Sequence, residues 1–309
     1  MKLKDKKLIF CNLDEDPDLV THAGTFHADE VFATVVLENI VDKDEIKICR
    51  ANEVEKEVNA IVYDIAGGKL DHHQKGGNGV RDNEISYASF GLVWKKYGKE
   101  FLEKIGFNDI EELQRMVDRK IVQEVDSNDN GELQINNNFN LDILSISKLI
   151  SLYNSKWDED DRQNEHFSEA VGFARVVLEK ILDSSCSKIK AKSLFNEEYK
   201  NIDGKYMILK QAMPWKEFLL EKEDEKSKNI LYVIHPSNRG GYNIVAVPKK
   251  LNSFENRKSF PIEWAGLKGK DLQEKSGIST ARFCHNNRFI CVTETLEDAI
   301  RLAEIAVNK

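Results

Sequence analysis

The chain has 309 residues, 41% of them apolar and 32% charged, with a net charge of −8. That is enough apolar chain for one large or two smaller domains with cores of their own, and too much for a disordered protein. No apolar run approaches the roughly 18 residues of a membrane span, and five cysteines without a CxxC pair disfavour both a zinc ribbon and a disulfide framework.

The basic start, Met1 to Lys7, runs into Leu8-Ile9-Phe10-Cys11. That stretch is too short for a secretory signal, and with five unpaired cysteines the expectation is a cytoplasmic protein. Leu19-Val20-Thr21 reads as a strand ending at His22-Ala23-Gly24. From His27, apolar residues at 31, 32, 35 and 36 recur at helical spacing through Ile40. Glu45–Ala51 alternates as a strand, Glu53–Val58 is expected to form a short helix, and residues 60–63 form a buried-type strand ending at Asp64. This β-α-β-α-β order predicts a parallel sheet with right-handed crossovers.

Asp71-His72-His73 follows, then a glycine-rich loop at 76–79. Helices are expected over 87–97, 109–124, 141–153 and 167–199. The turn Asn201-Ile202-Asp203-Gly204 divides the chain into domains 1–200 and 201–309. Beyond it, strands are expected over 206–209, 230–234, 242–247 and 282–285, with a closing amphipathic helix over 296–307. The fold class is therefore α/β, a parallel-sheet domain with flanking helices plus a smaller α/β domain.

Charge is uneven. Residues 226–290 carry twelve Lys/Arg against four acids, a balance of +8 that leaves −16 for the rest. Carboxylates suit a metal, and a basic surface suits an anionic substrate. Four polar clusters fall at strand or helix ends: Thr21–Glu30, Asp64, Asp71–His73 and Glu124–Gly131. Open parallel sheets bind ligands at the carboxyl ends of their strands. Imidazole and carboxylate at this density suit Mn²⁺, Fe²⁺, Co²⁺ or Zn²⁺. The donors are too many for one tetrahedral ion, and two ions would clamp the attacking and leaving oxygens of a phosphoryl displacement.

Asp71-His72-His73, preceded by Asp64 and by His22…His27-Ala28-Asp29, resembles the DHH phosphoesterase superfamily. Together with Ser89–Trp94, Asp126–Gly131, Phe260–Leu267 and Ser276-Gly277-Ile278, it more closely resembles the MYG exonuclease family, long called "metal-dependent protein hydrolase". The resemblance implies a DHH-type amino-terminal domain with the second domain closing over the metal site. It implies His22, His27, Asp29, Asp64, His72 and Asp126 as metal ligands, with Asp129 as the second choice to Asp126. Asp71 would orient His72, and His73 would face the substrate phosphate. His27 stands where most of the superfamily has Asp, which softens the site and favours Mn²⁺ over Mg²⁺. Two Mn²⁺ ions are expected, with Mg²⁺ or Co²⁺ as alternatives.

In the basic half, His235-Pro236-Ser237-Asn238-Arg239-Gly240-Gly241 places a cation beside a glycine pair, which suits phosphate. His285 and Arg288 are expected to line the same cleft, and Trp215 and Trp264 to pack in cores or hinges. The function these features imply is metal-dependent hydrolysis of nucleic-acid phosphodiesters by activated water, as a 3′–5′ exonuclease with single-stranded RNA favoured over DNA. The alternatives are hydrolysis of small phosphoanhydrides, small phosphodiesters or short oligonucleotides, or a non-catalytic metal-stabilised binding protein. No membrane partner is expected, and the oligomeric state stays open, a homodimer included.

Overall fold

The computed structural model describes residues 3–54, 57–133, 141–202 and 204–309. The chain divides into two compact units, Met1–Cys186 and Ser187–Lys309. The division falls inside a helix rather than at residue 200, because the last turns of that helix, with Ala191, Phe195 and Tyr199, belong to a core of the second unit. Asp203, in the turn expected at the boundary, lies outside the described residues.

In the first unit, β1 (Lys7–Phe10), β2 (Leu19–His22), β3 (Glu45–Ala51) and β4 (Ile61–Val62) form one sheet in the order β1-β3-β2-β4. Every pair is parallel, as the alternation of elements requires. The crossover helix α1 (Ala28–Ile40) is buried throughout from Ala28 to Glu38. It is covered on its polar residues as well as its apolar ones, and α2 (Ser89–Lys104) packs on it, with Phe32 stacked on Phe90 at 5.3 Å. Expected as one helix, residues 109–124 form α3 (Ile110–Val117), a π-helical segment Asp118–Val122, and α4 (Gln123–Asp129). Only Ile146–Ser151 (α5) of the expected 141–153 is helical. Residues 53–54 and 57–58 are not helical, and Glu55 and Lys56 lie outside the described residues. The long helix α6 spans Gln163–Lys200.

α2 carries a glycine that has no freedom to change. A Cβ on Gly91 would lie 1.9 Å from Asp126 Oδ2 and 2.8 Å from Arg81 Nη2. Gly91→Ala would gain about 1 kcal/mol of helix propensity. It must also break a buried ion pair, a loss of about 3–5 kcal/mol that decides the sign. A net destabilisation of about 3 kcal/mol is expected in urea unfolding, and an unchanged midpoint would contradict this packing.

The second unit holds β5 (Tyr206–Ile208), α7 (Lys216–Leu220), α8 (Glu225–Asn229), β6 (Tyr232–Pro236), β7 (Tyr242–Ala246), α9 (Gly269–Ser276), β8 (Ala281–Cys284), β9 (Ile290–Thr293) and α10 (Leu296–Asn308). The sheet runs β5-β6-β7-β9-β8, parallel only between β5 and β6. Alternate residues serve two cores. Tyr232, Ile234, Ile244 and Ala246 join Phe260, Trp264 and α10, while Val233, Val245 and Val247 join Trp215, Phe218 and the end of α6. Both tryptophans are thus core residues. All five cysteines are free. Among the described residues no helix is long and apolar enough to cross a membrane.

Candidate metal centre

The carboxyl edge of the parallel sheet gathers the polar residues. β2 ends at His22, and β4 leads directly to Asp64, whose backbone sits in the left-handed region (φ 55°). A non-glycine residue held there costs roughly 1–3 kcal/mol, and such strain concentrates at functional sites. α1 starts beside them: the Glu30 carboxylate accepts the His27 N–H at 2.9 Å, capping the helix while itself fully buried. α2 starts there too. Ser89 Oγ donates to Asp64 Oδ1 (2.8 Å), and Ser89 N–H donates to Asp29 Oδ2 (3.2 Å). A helix amino-terminus steadies carboxylates in this position.

Four overlapping sets of donor atoms result, each with its atoms within 4.8 Å of one another: Asp64-Asp71-His72-His73, His22-His27-Glu30, His27-Asp29-Asp129 and Asp29-Glu30-Asp64. Asp29, Glu30 and Asp64 are buried, whereas His27 and His73 are about half exposed. The cluster opens on a cavity of about 370 Å³ past His27, His72, His73 and Asp129, and on another of about 470 Å³ past His22, Asp64, Asp71 and His73.

The donors fit a divalent transition metal. His22 Nδ1 lies 2.9 Å from the Ala23 carbonyl oxygen, an acceptor only, so Nδ1 carries a proton. That turns Nε2 toward Glu30 Oε1 at 2.9 Å and Asp64 Oδ2 at 3.3 Å. A lone pair cannot face two carboxylates, so Nε2 must either hold a second proton or share a cation with them. Among the described residues Asp29 Oδ1 is moreover buried without a hydrogen-bond partner, and the facing His22 Nε2 and Asp64 Oδ2 are buried as well. Mixed imidazole and carboxylate donors of this kind suit Mn²⁺, Fe²⁺, Co²⁺ or Zn²⁺.

Without metal, protons do the neutralising. Burial opposes protonation of His22, but its bonds to Asp64 and Glu30 outweigh that and carry it to about 11. The bond to Asp64 lifts His73 to about 9. Burial pushes Asp29 well up, helped by the Asp64 and Glu30 charges. Burial acts the same way on Asp64, yet the bonds from His22 and His73 hold it below its ordinary value. For His22, raised above 6.5, the sign is clear: its contribution to the metal-free fold is complete below about pH 6.5 and is lost as pH climbs through 11. A metal must displace that proton, so Mn²⁺ affinity should rise about tenfold per pH unit per proton displaced between pH 6 and 8. Calorimetry in buffers of different ionisation enthalpy should show release of about one proton or more per protein at pH 7; heats that ignore the buffer would contradict the assignment of His22.

His22, His27, Asp29, Asp64 and His72 come together as the sequence placed them. Asp126 does not join them. Its Oδ2 accepts from Arg81 Nη2 at 2.6 Å and its Oδ1 from Gly91 N–H at 2.9 Å, so it is spent on an ion pair inside the fold. Asp129, one helical turn on, takes that place, with Oδ2 2.8 Å from His72 Nε2. Asp71 does not orient His72. It accepts from Gly67 N–H (2.6 Å) and from His73 N–H (2.9 Å), and its Oδ1 lies 3.1 Å from His73 Nδ1, so it positions His73. The sequence reading missed Glu30, which looked like an ordinary acid in the first turn of a helix.

In the second unit, His235, Arg239 and Gly240 line a cavity of about 680 Å³ with Lys268, Arg282 and Phe283, and among the described residues no carboxylate lines it. His285 and Arg288 are not in its wall. His285 packs on Phe289 (centroids 4.4 Å), and Arg288 donates to the Phe260 carbonyl at 3.2 Å. Gly241 is structural: at φ 75° a Cβ there would lie 2.2 Å from the Thr293 oxygen. It permits β7 to approach the end of β9.

The MYG1 exonuclease model, described as "Uncharacterised protein family (UPF0160)", matches residues 18–307. The MYG1 protein of Saccharomyces cerevisiae is 30% identical, covering 97% of this chain and 98% of its own. The MYG1 protein of Dictyostelium discoideum is 31% identical over 95% and 97%. The human protein named MYG1 exonuclease is 28% identical over 93% of this chain and 85% of its own. No solved structure matches significantly. With a family match over nearly its whole length, and relatives aligned end to end, the chain belongs to the MYG1 exonuclease family.

Proposed function

We propose that this chain is a metal-dependent phosphodiesterase of nuclease type, acting with Mn²⁺ as a 3′–5′ exonuclease on single-stranded RNA. The observation that carries the reading is the cluster of His22, Asp29, Glu30, Asp64, His72 and Asp129, whose donor atoms are brought together and largely buried, with Asp29 Oδ1 left without a hydrogen-bond partner among the described residues. Relatives in mouse, rat and human are named exonucleases, which supports the reaction class. Divalent ions held by this cluster would supply activation of water and neutralise charge on the phosphoryl oxygens.

The chain's own residues do the rest. Glu30, Asp29 and Asp64 are fixed by helix starts and by a strained turn, so the donor set is organised before substrate arrives. His73 has Nδ1 occupied by Asp64 (3.3 Å) and Asp71 (3.1 Å). That leaves Nε2 of a half-exposed ring to hold a phosphate oxygen or pass it a proton. The basic cavity of the second unit is a surface for phosphates, with Arg239 and Lys268 as its cations and Arg282 already paired with Glu294.

The test is a panel of end-labelled single-stranded RNA, DNA and dinucleotides, with and without Mn²⁺. Stepwise shortening of RNA from the 3′ end that requires Mn²⁺ is the expected result. Cleavage of dinucleotides alone would shift the reading to short oligonucleotides, and no cleavage of any of them would overturn it.

A further inference from the structure

The cavity beside His73 has a wall that neither the donor cluster nor the glycine loop of the second unit accounts for. Ser147, Lys148 and Ser151 of α5 line it, along with His27, His72 and Asp129. Ser147 lines the cavity and is 9% exposed, and its Oγ is buried with no hydrogen-bond partner among the described residues. A buried hydroxyl left unpaired costs roughly 1–3 kcal/mol, so it calls for a partner that comes and goes. Lys148 brings the one permanent positive charge among the residues lining this cavity. Among the described residues its ammonium bonds Asp142, at 2.6 Å, and that carboxylate is 81% exposed. An ion pair so open to water holds Lys148 weakly and leaves it free to turn to a better partner.

Charge says what that partner is. The five carboxylates of the donor sets, Asp29, Glu30, Asp64, Asp71 and Asp129, sum to −5 when ionised, of which two divalent cations would cancel four. A phosphoryl group entering this cavity adds negative charge with no cation of its own, and Lys148 is placed to meet it. A hydroxyl and an ammonium on adjacent residues of one helix turn form a grip for a tetrahedral oxyanion.

We infer that α5 forms the phosphate-holding wall of this centre, with Ser147 Oγ and Lys148 Nζ donating to the non-bridging oxygens of a phosphoryl group. The inference rests on the phosphodiesterase reading for its substrate but not for its ligand, because inorganic phosphate would be held by the same donors.

The experiment therefore has two arms, both on the full Mn²⁺-loaded chain: calorimetric binding of inorganic phosphate, and turnover of bis-p-nitrophenyl phosphate. Lys148→Met should weaken phosphate binding about ten- to a hundredfold and raise KM by a similar factor, with Mn²⁺ affinity unchanged. Lys148→Arg should recover most of the loss, and Ser147→Ala should weaken phosphate about three- to tenfold. Lys148 is half exposed, so its variants should fold, and thermal melts check that they do. Wild-type phosphate affinity in both Lys148→Met and Ser147→Ala would overturn the inference, as would loss of Mn²⁺ together with phosphate in Lys148→Met. If wild type binds phosphate through Lys148 yet cleaves no diester, the wall stands and the phosphodiesterase reading falls. If wild type cleaves and Lys148→Met cleaves with the same KM, the reverse holds.

Discussion

Asp64→Asn is expected to abolish metal binding and phosphodiester hydrolysis together. Asp64 is shared by two of the four donor sets and lies within 3.4 Å of His22, His72 and His73. Removing its charge leaves those imidazoles without their common anion. Metal ions stabilise phosphoryl transition states by several kcal/mol, and each 1.4 kcal/mol is tenfold in rate, so turnover should fall by at least about 10³-fold. Asp126→Asn provides the contrast. It breaks the buried pair with Arg81 and should cost about 3–5 kcal/mol of stability while the folded fraction still binds Mn²⁺. Inductively coupled plasma analysis of the purified variants, beside their melting curves, separates the two. Retention of metal in Asp64→Asn, or its loss from folded Asp126→Asn, would reverse the assignment.

His73→Ala should behave differently again. The ring is half exposed and faces both cavities of the centre, and Asp71 holds it through backbone and side chain alike. A group that contacts the reacting phosphate or moves its proton is worth about 10²–10⁴-fold in kcat. The other donors remain, so Mn²⁺ should still bind. Asp71→Asn should give a smaller fall of the same kind, because it loosens the ring without removing it. If His73→Ala lost metal as fully as Asp64→Asn, His73 would be a ligand and not a substrate contact.

The strongly periodic parts of the chain were legible. Strand 19–22, helix 28–40 and strand 45–51 each carry their own pattern, and their alternation dictates a parallel sheet. The sheet then points to its carboxyl edge, which singles out the polar clusters holding His22, Asp29, Asp64 and His72, while the choice of ligands within them follows from the resemblance to DHH phosphoesterases. Short elements such as β1 and β9 carry too few residues to show a period. The choice between Asp126 and Asp129 was not legible, since both lie on α4, one turn apart. Arg81, 45 positions before Asp126, pairs with Asp126 and leaves Asp129 facing His72, contacts that only tertiary structure shows. Glu30 was hidden in the same way. An acid in the first helical turn already has a local role, and its second role depends on His22 arriving from the neighbouring strand. Gly241 is the converse. Next to Arg239 it suggested a phosphate nest, whereas its φ and the nearness of the Thr293 oxygen give it a reason internal to the sheet.

The most direct measurement is an anomalous-difference map from crystals soaked in Mn²⁺. The account predicts manganese peaks within coordination distance, about 2.0–2.2 Å, of Asp64 and of His22, Asp29, His72 and Asp129, with Asp126 still paired to Arg81. A map with no peak among those side chains, or with manganese on Asp126 and none on Asp129, would contradict it.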